Sequence, residues 1–188
     1  MALPDRKHDG PCTYIPARWD GGYRTKDERV IVVHTTESSP TSARGVANYF
    51  QNLPVTNKVS SHKIVDINEC ITSVKDALIA WTAPGTNSDG LQLEICARAK
   101  YSRLEWFRNQ AALKRSAWVV ARWCIKYSIP PTFISVNELK NGKKGLTTHA
   151  DASKAYGGSD HWDPGPNFPK GYFVWLVKRR IKWLKAGA

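Results

Sequence analysis

The sequence predicts an α/β fold in which a single central mixed β-sheet is flanked by helices. This prediction rests on three observations. Short β-branched or alternating runs, typical of strands, occur near residues 29–34 and 91–97. Longer stretches with apolar residues every three or four positions, typical of amphipathic helices, occur between and after them. The two kinds of segment alternate along a chain of 188 residues, which suits one domain with one core.

Three segments are predicted strands. The run "RVIVVH" (Arg29–His34) is β-branched and ends at a histidine, so it predicts a buried strand with His34 at its C-terminal end. The segment "HKIVDINECI" (His62–Ile71) predicts either a strand or a hairpin with "DINE" as its turn. The segment "LQLEICA" (Leu91–Ala97) alternates, with Leu91, Leu93 and Ile95 on one face and Gln92, Glu94 and Cys96 on the other.

Three segments are predicted helices. "SARGVANYFQNL" (Ser42–Leu53) places its apolar residues on one side. The longest helix should begin at Ser102, where "SRLE" matches a capping box, and should end before Pro130. The last helix, Tyr172–Lys185, has an apolar stripe opposite a basic face. It either packs this stripe on the sheet or lies on an anionic membrane surface, and we favour packing. The stripe consists of Phe173, Val177, Ile181 and Leu184.

The net charge of +12 indicates a polyanionic partner. Nucleic acid, anionic lipid and the acidic polymers of a bacterial wall all remain possible partners, and simple solubility would also explain the charge. No apolar run approaches the ~20 residues of a membrane span. The N-terminal "MALPDRKHDGPC" has no apolar stretch after its basic residues, so we predict no signal peptide and synthesis in the cytoplasm.

The four cysteines lie far apart and form no CxxC pair. This spacing does not match a zinc ribbon, and a disulfide is unexpected in a cytoplasmic product of this length. Cys70 and Cys96 lie in apolar runs, where cysteine usually behaves as a small hydrophobic residue. We therefore expect Cys12, Cys70, Cys96 and Cys124 to be reduced, structural thiols.

The segment "HADASKAYGGSDHWDPGPNFPK" (His149–Lys170) places histidines and aspartates among turn-forming residues that contribute little to a core. We expect an irregular loop that brings His149 and Asp163 towards His34. Two imidazoles and one carboxylate, with a fourth position left for water, are typical of a catalytic zinc site. The spacing alone is a weak signal, because His34 by itself also suits a core histidine with a hydrogen-bond partner.

Four segments resemble a known family: "VVHTTES", "VSSHKIVDINECI", "AWTAPGTNSDGLQLEIC" and "THADASKAYGGSDHWDPGPNFP". They are similar to the type-2 N-acetylmuramoyl-L-alanine amidases, which share their fold with the peptidoglycan recognition proteins. The resemblance covers roughly Val30 to Phe168 and is greatest to amidase domains of endolysins from actinobacterial phages, including mycobacteriophages. It implies one catalytic domain over residues 1–188, with a core at about 29–170 and the basic helix 172–185 after it.

The resemblance also implies site residues. His34, His149 and Asp163 would bind one Zn²⁺ ion, and Glu94, in the family's I-G-I-E segment, would be the general base. Glu94 could instead be an exposed strand carboxylate. His161 stands where many relatives have a lysine, and would stabilise the oxyanion as a hydrogen-bond donor.

The substrate-binding residues implied by the resemblance are Trp81 and Asn87, in the loop "AWTAPGTN" beside the cleft. Trp81 is nearly as well explained as a core residue. A second departure from the family is Ser61, where some lytic relatives have a tyrosine beside the zinc. His62 we interpret as structural or cleft-lining rather than as a ligand.

The implied function is hydrolysis of the amide bond between N-acetylmuramic acid and the L-alanine of the stem peptide, by a phage endolysin acting on the cell wall after release. Its partners would be peptidoglycan and, through a basic surface, anionic wall polymers. We expect a monomer and no nucleic-acid partner, because no zinc finger, RNA-recognition motif or clear helix-turn-helix is visible. The same fold could also serve a non-catalytic recognition module or a bacterial amidase for wall recycling or remodelling. The presence of all three ligand residues favours an enzyme over a recognition module.

Overall fold

The protein is described by a computed structural model that covers residues 8–38 and 42–187. Residues 1–7, part of the segment on which the absence of a signal peptide was predicted, lie outside the described residues. The strands are β1 (Thr13–Tyr14), β2 (Val30–Thr35), β3 (Lys63–Val65), β4 (Cys70–Thr72), β5 (Gly90–Ile95) and β6 (Gly145–Thr148). The helices are α1 (Ala43–Gln51), α2 (Arg103–Arg108), α3 (Gln110–Lys126), α4 (Val136–Lys140), α5 (His149–Tyr156) and α6 (Lys170–Lys185). Within residues 8–38 and 42–187, every helix is too short or too polar to span a lipid bilayer.

The six strands form one sheet in the order β1-β4-β3-β5-β2-β6. The hairpin pair β3 and β4 is antiparallel, and the other neighbouring pairs are parallel. The predicted mixed sheet flanked by helices is therefore confirmed. At its centre, β2 pairs with β5 in a register that places His34 opposite Glu94.

The two faces of the sheet have different roles. Side chains alternate along a strand, so residues opposite each other in neighbouring strands share a face. One face contributes Ile31, Val33, Leu91, Leu93 and Ile95 to a core cluster with α3 and α6. The opposite face packs Ile64 and Ile71 against α1, and Val30 and Val32 near α4 and α5. His34 lies two residues after Val32 on β2, so its side chain points to this second face. Glu94 lies opposite His34 on β5 and therefore points to the same face.

The long helix predicted from Ser102 is two helices. Ser102 forms the expected capping box with Glu105, but α2 ends at Arg108 and α3 begins at Gln110. Asn109 joins them with φ −91° and ψ 21°, outside helical geometry. The apolar pattern has a gap of seven positions here, from Trp106 to Leu113. Trp106 is fully buried against Phe168, so the break lets a short helix bury this ring separately from α3.

The predicted irregular loop at His149 is partly wrong. His149 follows strand β6 and is the first residue of helix α5, whose N-cap is Thr148. The Thr148 side chain accepts a hydrogen bond from the backbone N–H of Asp151, which satisfies one of the free donors of the first turn. The segment between α5 and α6, which includes Asp163, is irregular as predicted.

The last helix, α6, packs against α3 and is part of the core. Phe173 and Val177 are fully buried, and Ile181 and Leu184 are partly buried against the same cluster. The predicted burial of the apolar stripe is therefore confirmed, but its principal neighbour is α3 rather than a strand of the sheet. Binding of this helix to a membrane surface would require the stripe to leave the core.

The expectation of four reduced cysteines is wrong for Cys12 and Cys70. Cys12, just before β1, forms a disulfide with Cys70 on β4, while Cys96 and Cys124 are thiols, as predicted. The Cα atoms of the pair are 4.6 Å apart across a sequence separation of 58 residues. Sequence spacing could not indicate this proximity, because it arises from the pairing of β1 with β4.

Candidate metal centre and cleft

The predicted ligand residues meet at one end of the sheet. His34 lies at the C-terminal end of β2, and His149 directly follows β6, the parallel neighbour of β2. Carboxyl ends of parallel strands meet at the same edge, where α/β proteins commonly bind ligands. Asp163 reaches this edge from the irregular segment between α5 and α6.

The three side chains form one buried cluster. His34 Nδ1 lies 3.0 Å from His149 Nδ1 and 3.4 Å from Asp163 Oδ2, and His149 Nδ1 lies 3.2 Å from Asp163 Oδ1. All three residues are at most 4% exposed. Ligand atoms arranged tetrahedrally at zinc bond lengths are about 3.3 Å apart. The spacing of these atoms therefore fits a zinc ion.

Asp163 is held in place by its surroundings. The backbone N–H of Thr35 donates to Asp163 Oδ2 at 3.1 Å, whereas the buried Oδ1 accepts no hydrogen bond from any described residue. Two residues later, Gly165 has φ +82°, and a Cβ there would lie 1.9 Å from the carbonyl oxygen of Ala99. Only glycine allows this close approach, which fixes the chain that presents the carboxylate. A buried oxygen without a donor suits a metal ligand.

The outer nitrogens of both histidines have partners. The Gln92 amide donates to the carbonyl oxygen of Thr86 at 3.2 Å, so its Oε1 must face His34 Nε2, at 2.8 Å. His34 Nε2 therefore bears the proton and donates, which leaves Nδ1 with its lone pair. His149 Nε2 lies 3.2 Å from Ser159 Oγ. Such outer partners orient metal-binding imidazoles.

Glu94 lies beside the cluster, in register with His34 on the neighbouring strand. It is 8% exposed, so its interpretation as an exposed strand carboxylate is wrong. Its Oε2 is buried and accepts no hydrogen bond from the described part of the chain. Burial, reinforced by Asp163 and Glu37 against the opposing effect of His34, raises the pKa of Glu94 to about 7.

The pKa values in the cluster show how the charges interact. Burial would lower the pKa of His34, but contact with Asp163 and Glu94 outweighs it and raises this pKa. For His149 burial dominates, and the pKa is lowered. Burial would raise the pKa of Asp163, yet the adjacent imidazoles hold it well below its usual range. Asp163 is therefore an anion at neutral pH, as a metal ligand must be.

His161 lies at the rim of the cluster. Its ring stacks on that of His149 with centroids 4.5 Å apart, and its Nδ1 is 3.6 Å from Asp163 Oδ1. Its side chain is 57% exposed, in contrast to the buried triad. His161 therefore faces the space above the cluster and has a nitrogen available to a bound molecule.

The triad and Glu94 open into a cavity of about 770 Å³. Trp81 lines it and is 39% exposed, so its interpretation as a core tryptophan is wrong. Asn87 also lines it, and its Oδ1 accepts hydrogen bonds from the backbone N–H groups of Thr82 and Ala83. Asn87 thus shapes the loop that presents Trp81 to the cavity. Further lining residues are Val46, Tyr49, Phe50, Lys58, Val59 and Pro84.

Sequence reasoning missed the roles of Gln92 and Ser159 as partners of the histidines. The position of Gln92 on the same strand face as Glu94 was the available signal, whereas nothing in the sequence linked Ser159 to His149. His62 is structural, as expected: it is fully buried, its Nδ1 accepts from the backbone N–H of Gln92, and it is outside the triad. Ser61 donates to the carbonyl oxygen of Gln92, 2.9 Å away.

Solved structures share this fold. The Staphylococcus aureus hydrolase AmiA, solved in complex with its ligand, has a TM-score of 0.75 at 20% identity, over 95% of this chain and 86% of that chain. A mutant endolysin from Bacillus subtilis has a TM-score of 0.60 at 19% identity, over 89% of this chain and 98% of that chain. A derivative of AmpD has a TM-score of 0.61 at 17% identity, over 94% of this chain and 99% of that chain. At these identities the likeness establishes the fold.

The family assignment comes from sequence. The model of the N-acetylmuramoyl-L-alanine amidase family matches residues 24–166, most of the chain and all of the triad. No curated protein matches significantly. The strands from β2 to β6, the triad and Glu94 all lie within the matched region. The chain therefore belongs to the N-acetylmuramoyl-L-alanine amidase family.

Proposed function

We propose that this amidase is a zinc-dependent phage endolysin that cleaves the bond between N-acetylmuramic acid and the L-alanine of the stem peptide. The observation that supports this most directly is the buried cluster of His34, His149 and Asp163, with Glu94 beside it, at the bottom of a cleft. Family membership supports the amidase activity, and the donor set supports the metal.

In this proposal one Zn²⁺ is held by His34 Nδ1, His149 Nδ1 and a carboxylate oxygen of Asp163. When bound, the ion would lower the pKa of a water molecule and polarise the amide carbonyl. Gln92 and Ser159 would keep the imidazoles turned towards the metal, since each lies within hydrogen-bond distance of an outer nitrogen.

Glu94 would act as general base and then as general acid. Its carboxylate accepts the proton of the attacking water and returns it to the nitrogen of the leaving L-alanine. Its lack of a hydrogen-bond donor at Oε2 leaves that oxygen available for this transfer. Burial beside Asp163 makes Glu94 a stronger base than an ordinary surface carboxylate.

His161 would stabilise the oxyanion of the tetrahedral intermediate. It can do so as a donor, either protonated or in the tautomer with the proton directed into the cleft. Its exposed ring, stacked on His149, lies at the rim where a substrate carbonyl would enter. In this role it would substitute for the lysine of many relatives.

The cleft beyond the metal would bind the substrate. Trp81, held by the loop that Asn87 organises, offers an aromatic surface, and Val46 and Tyr49 offer apolar contacts. Such mixed walls suit a glycopeptide with sugar rings and a short peptide.

The endolysin role distinguishes this proposal from a recycling amidase. Both remain compatible with the fold, since the structural neighbours include an endolysin and AmpD. The charge of +12 favours an intact, anionic wall over small soluble fragments. A higher rate on intact sacculi than on soluble muropeptides would support the endolysin, and the reverse would favour recycling.

The amidase is tested by mass spectrometry of purified peptidoglycan incubated with the protein, with and without a chelator. We expect chelator-sensitive release of stem peptides with a free N-terminal alanine and intact glycan strands. Asp163→Ala should lose both bound zinc and activity while remaining folded, whereas Asp160→Ala, at an exposed neighbouring carboxylate, should retain both. Full activity of Asp163→Ala would refute the ligand assignment. Uncleaved peptidoglycan that retains the protein would indicate a recognition module.

A further inference from the structure

A second cavity, of about 580 Å³, lies away from the amidase cleft. We call it the α3 groove; its walls come from β3, β4, α3 and the segment Gly10–Cys12. Lys63, which lines it, lies opposite Leu93 in the sheet register, whereas Glu94 of the cleft lies opposite Ile64. Because neighbouring residues of a strand point to opposite faces, the α3 groove and the amidase cleft are on opposite sides of the sheet.

The helices on this side of the sheet are strongly basic. α3 has four basic residues, α6 has six, and neither has an acidic residue. Some of these charges are neutralised locally, since Arg180 pairs with Asp9 and Lys170 with Asp151. The basic residues are Lys114, Arg115, Arg122 and Lys126 in α3, and Lys170, Lys178, Arg179, Arg180, Lys182 and Lys185 in α6. Much of the net charge of +12 is therefore on this side.

The α3 groove itself is lined by three cations, Lys63, Arg122 and Lys126, and by one carboxylate, Asp76. Asp76 is engaged by the protein: its Oδ2 accepts from Trp123 Nε1 and Tyr127 OH, each at 3.1 Å. It also pairs with Lys63 at 3.7 Å and Lys126 at 3.6 Å. One internal carboxylate therefore faces three cations, and the groove has an excess of positive charge.

Arg122 is the cation best placed to meet a ligand. It is exposed, and among the described residues it has no carboxylate partner within ion-pair distance. Its guanidinium lies 6.0 Å from the centre of the Trp118 ring, a contact that limits its motion without using its N–H donors. A planar guanidinium with free donors suits bidentate binding of phosphate, and nearby ammonium groups add charge.

We propose that the α3 groove binds a phosphodiester-bearing polymer attached to the bacterial wall. This assignment rests on the proposed function, because the wall is where the amidase would meet such a polymer in linkage with its substrate. A groove of this volume holds one or two phosphate groups and their adjoining units, and it does not overlap the cleft. Polymer binding would raise the local concentration of the enzyme on the wall while the opposite side remained open to peptidoglycan.

The test compares two double variants that lose the same charge. R122A/K126A removes two groove cations, and K26A/K140A removes two exposed lysines elsewhere. Each double variant also carries Glu94→Gln, which removes the proposed general base, so that the protein can bind walls without digesting them. Binding is measured by sedimentation with walls that contain a polyol-phosphate polymer, and with the same walls after chemical removal of that polymer.

We expect R122A/K126A to bind polymer-bearing walls about tenfold or more weakly, since a lost charge-assisted hydrogen bond corresponds to at least that factor. K26A/K140A should bind like its parent, and removal of the polymer should weaken the parent to the level of R122A/K126A. With Glu94 restored, both pairs should cleave a soluble muropeptide at the wild-type rate.

The assignment would be overturned if R122A/K126A and its parent bound polymer-bearing walls equally well. It would also be overturned if the parent bound polymer-free walls as tightly as polymer-bearing walls. Tighter binding to a DNA oligonucleotide than to the released polymer would make the groove a nucleic-acid site instead.

Muropeptide cleavage separates the proposed amidase function from the proposed polymer binding. Absent cleavage with groove-dependent polymer binding would refute the amidase mechanism alone, and normal cleavage with unchanged binding would refute the groove alone.

Discussion

At the scale of single residues, Gln92 links the cluster of His34, His149 and Asp163 to the loop that precedes β5. Its amide is fully buried between the carbonyl oxygen of Thr86 and the Nε2 atom of His34. Because a carbonyl oxygen can only accept, the orientation of the amide determines which nitrogen of His34 bears the proton.

Gln92→Met should therefore weaken zinc binding about 10–100-fold, the usual effect of losing the outer partner of a metal-binding histidine. Zinc affinity is measured by competition with a chelating dye. Ser61→Ala is the matched control, because it removes a buried hydrogen bond to the backbone of Gln92 without touching His34. Unchanged zinc affinity in Gln92→Met would show that the contact with His34 does not orient the ligand.

At the scale of secondary-structure elements, the Cys12–Cys70 disulfide ties the segment before β1 to β4. β1 has only two residues and is paired on one side, so its own hydrogen bonds stabilise it little. A cross-link over 58 residues restricts the unfolded chain far more than a local one. The disulfide therefore stabilises the edge of the sheet and the wall of the α3 groove.

Replacing both cysteines, as C12A/C70A, should lower the free energy of unfolding by up to about 4 kcal/mol in the chain-entropy description of a loop of this length. Denaturant titration under oxidising conditions measures the loss. Reductant should lower the stability of the wild type and leave C12A/C70A unchanged. Cys124→Ala, which keeps the disulfide, should respond to reductant like the wild type, and an insensitive wild type would contradict the prediction.

At the scale of the whole molecule, the cluster of His34, His149 and Asp163 joins parts of the chain that are far apart in sequence. Its proposed metal ligands come from β2, the start of α5 and the segment before α6. The unfolded chain cannot present them together, so an ion that binds only the folded state stabilises the entire domain.

Removal of zinc should therefore lower the melting temperature of the wild type. A ligand at 100 times its Kd adds about 2.7 kcal/mol, or roughly 5–10 °C for a domain of this size. Calorimetry with zinc and with a chelator measures the difference. Asp163→Ala should melt at the same temperature in both conditions, whereas Asp160→Ala should retain the shift. A wild type that is indifferent to zinc would refute the metal site.

Features that depend on neighbouring residues along the chain could be predicted from the amino-acid sequence. Alternation and β-branching identified the strands at His34 and Glu94, and the capping box identified the helix start at Ser102. The residue types of His34, His149 and Asp163 suit a zinc site, but their spacing alone is a weak signal, and their assignment as ligands came from the resemblance to the amidase family. The functional roles of these residues remain predictions.

Features that depend on distances through space became apparent only in the folded protein. The pairing of Cys12 with Cys70 follows from the order of the strands, and the break at Asn109 follows from the separate burial of Trp106. The contact of Gln92 with His34 arises because two parallel strands lie in register. The basic helices α3 and α6 lie opposite the cleft because they pack on the other face of the same sheet. Side-chain alternation is local, but which face meets which helix is settled only when the whole sheet packs.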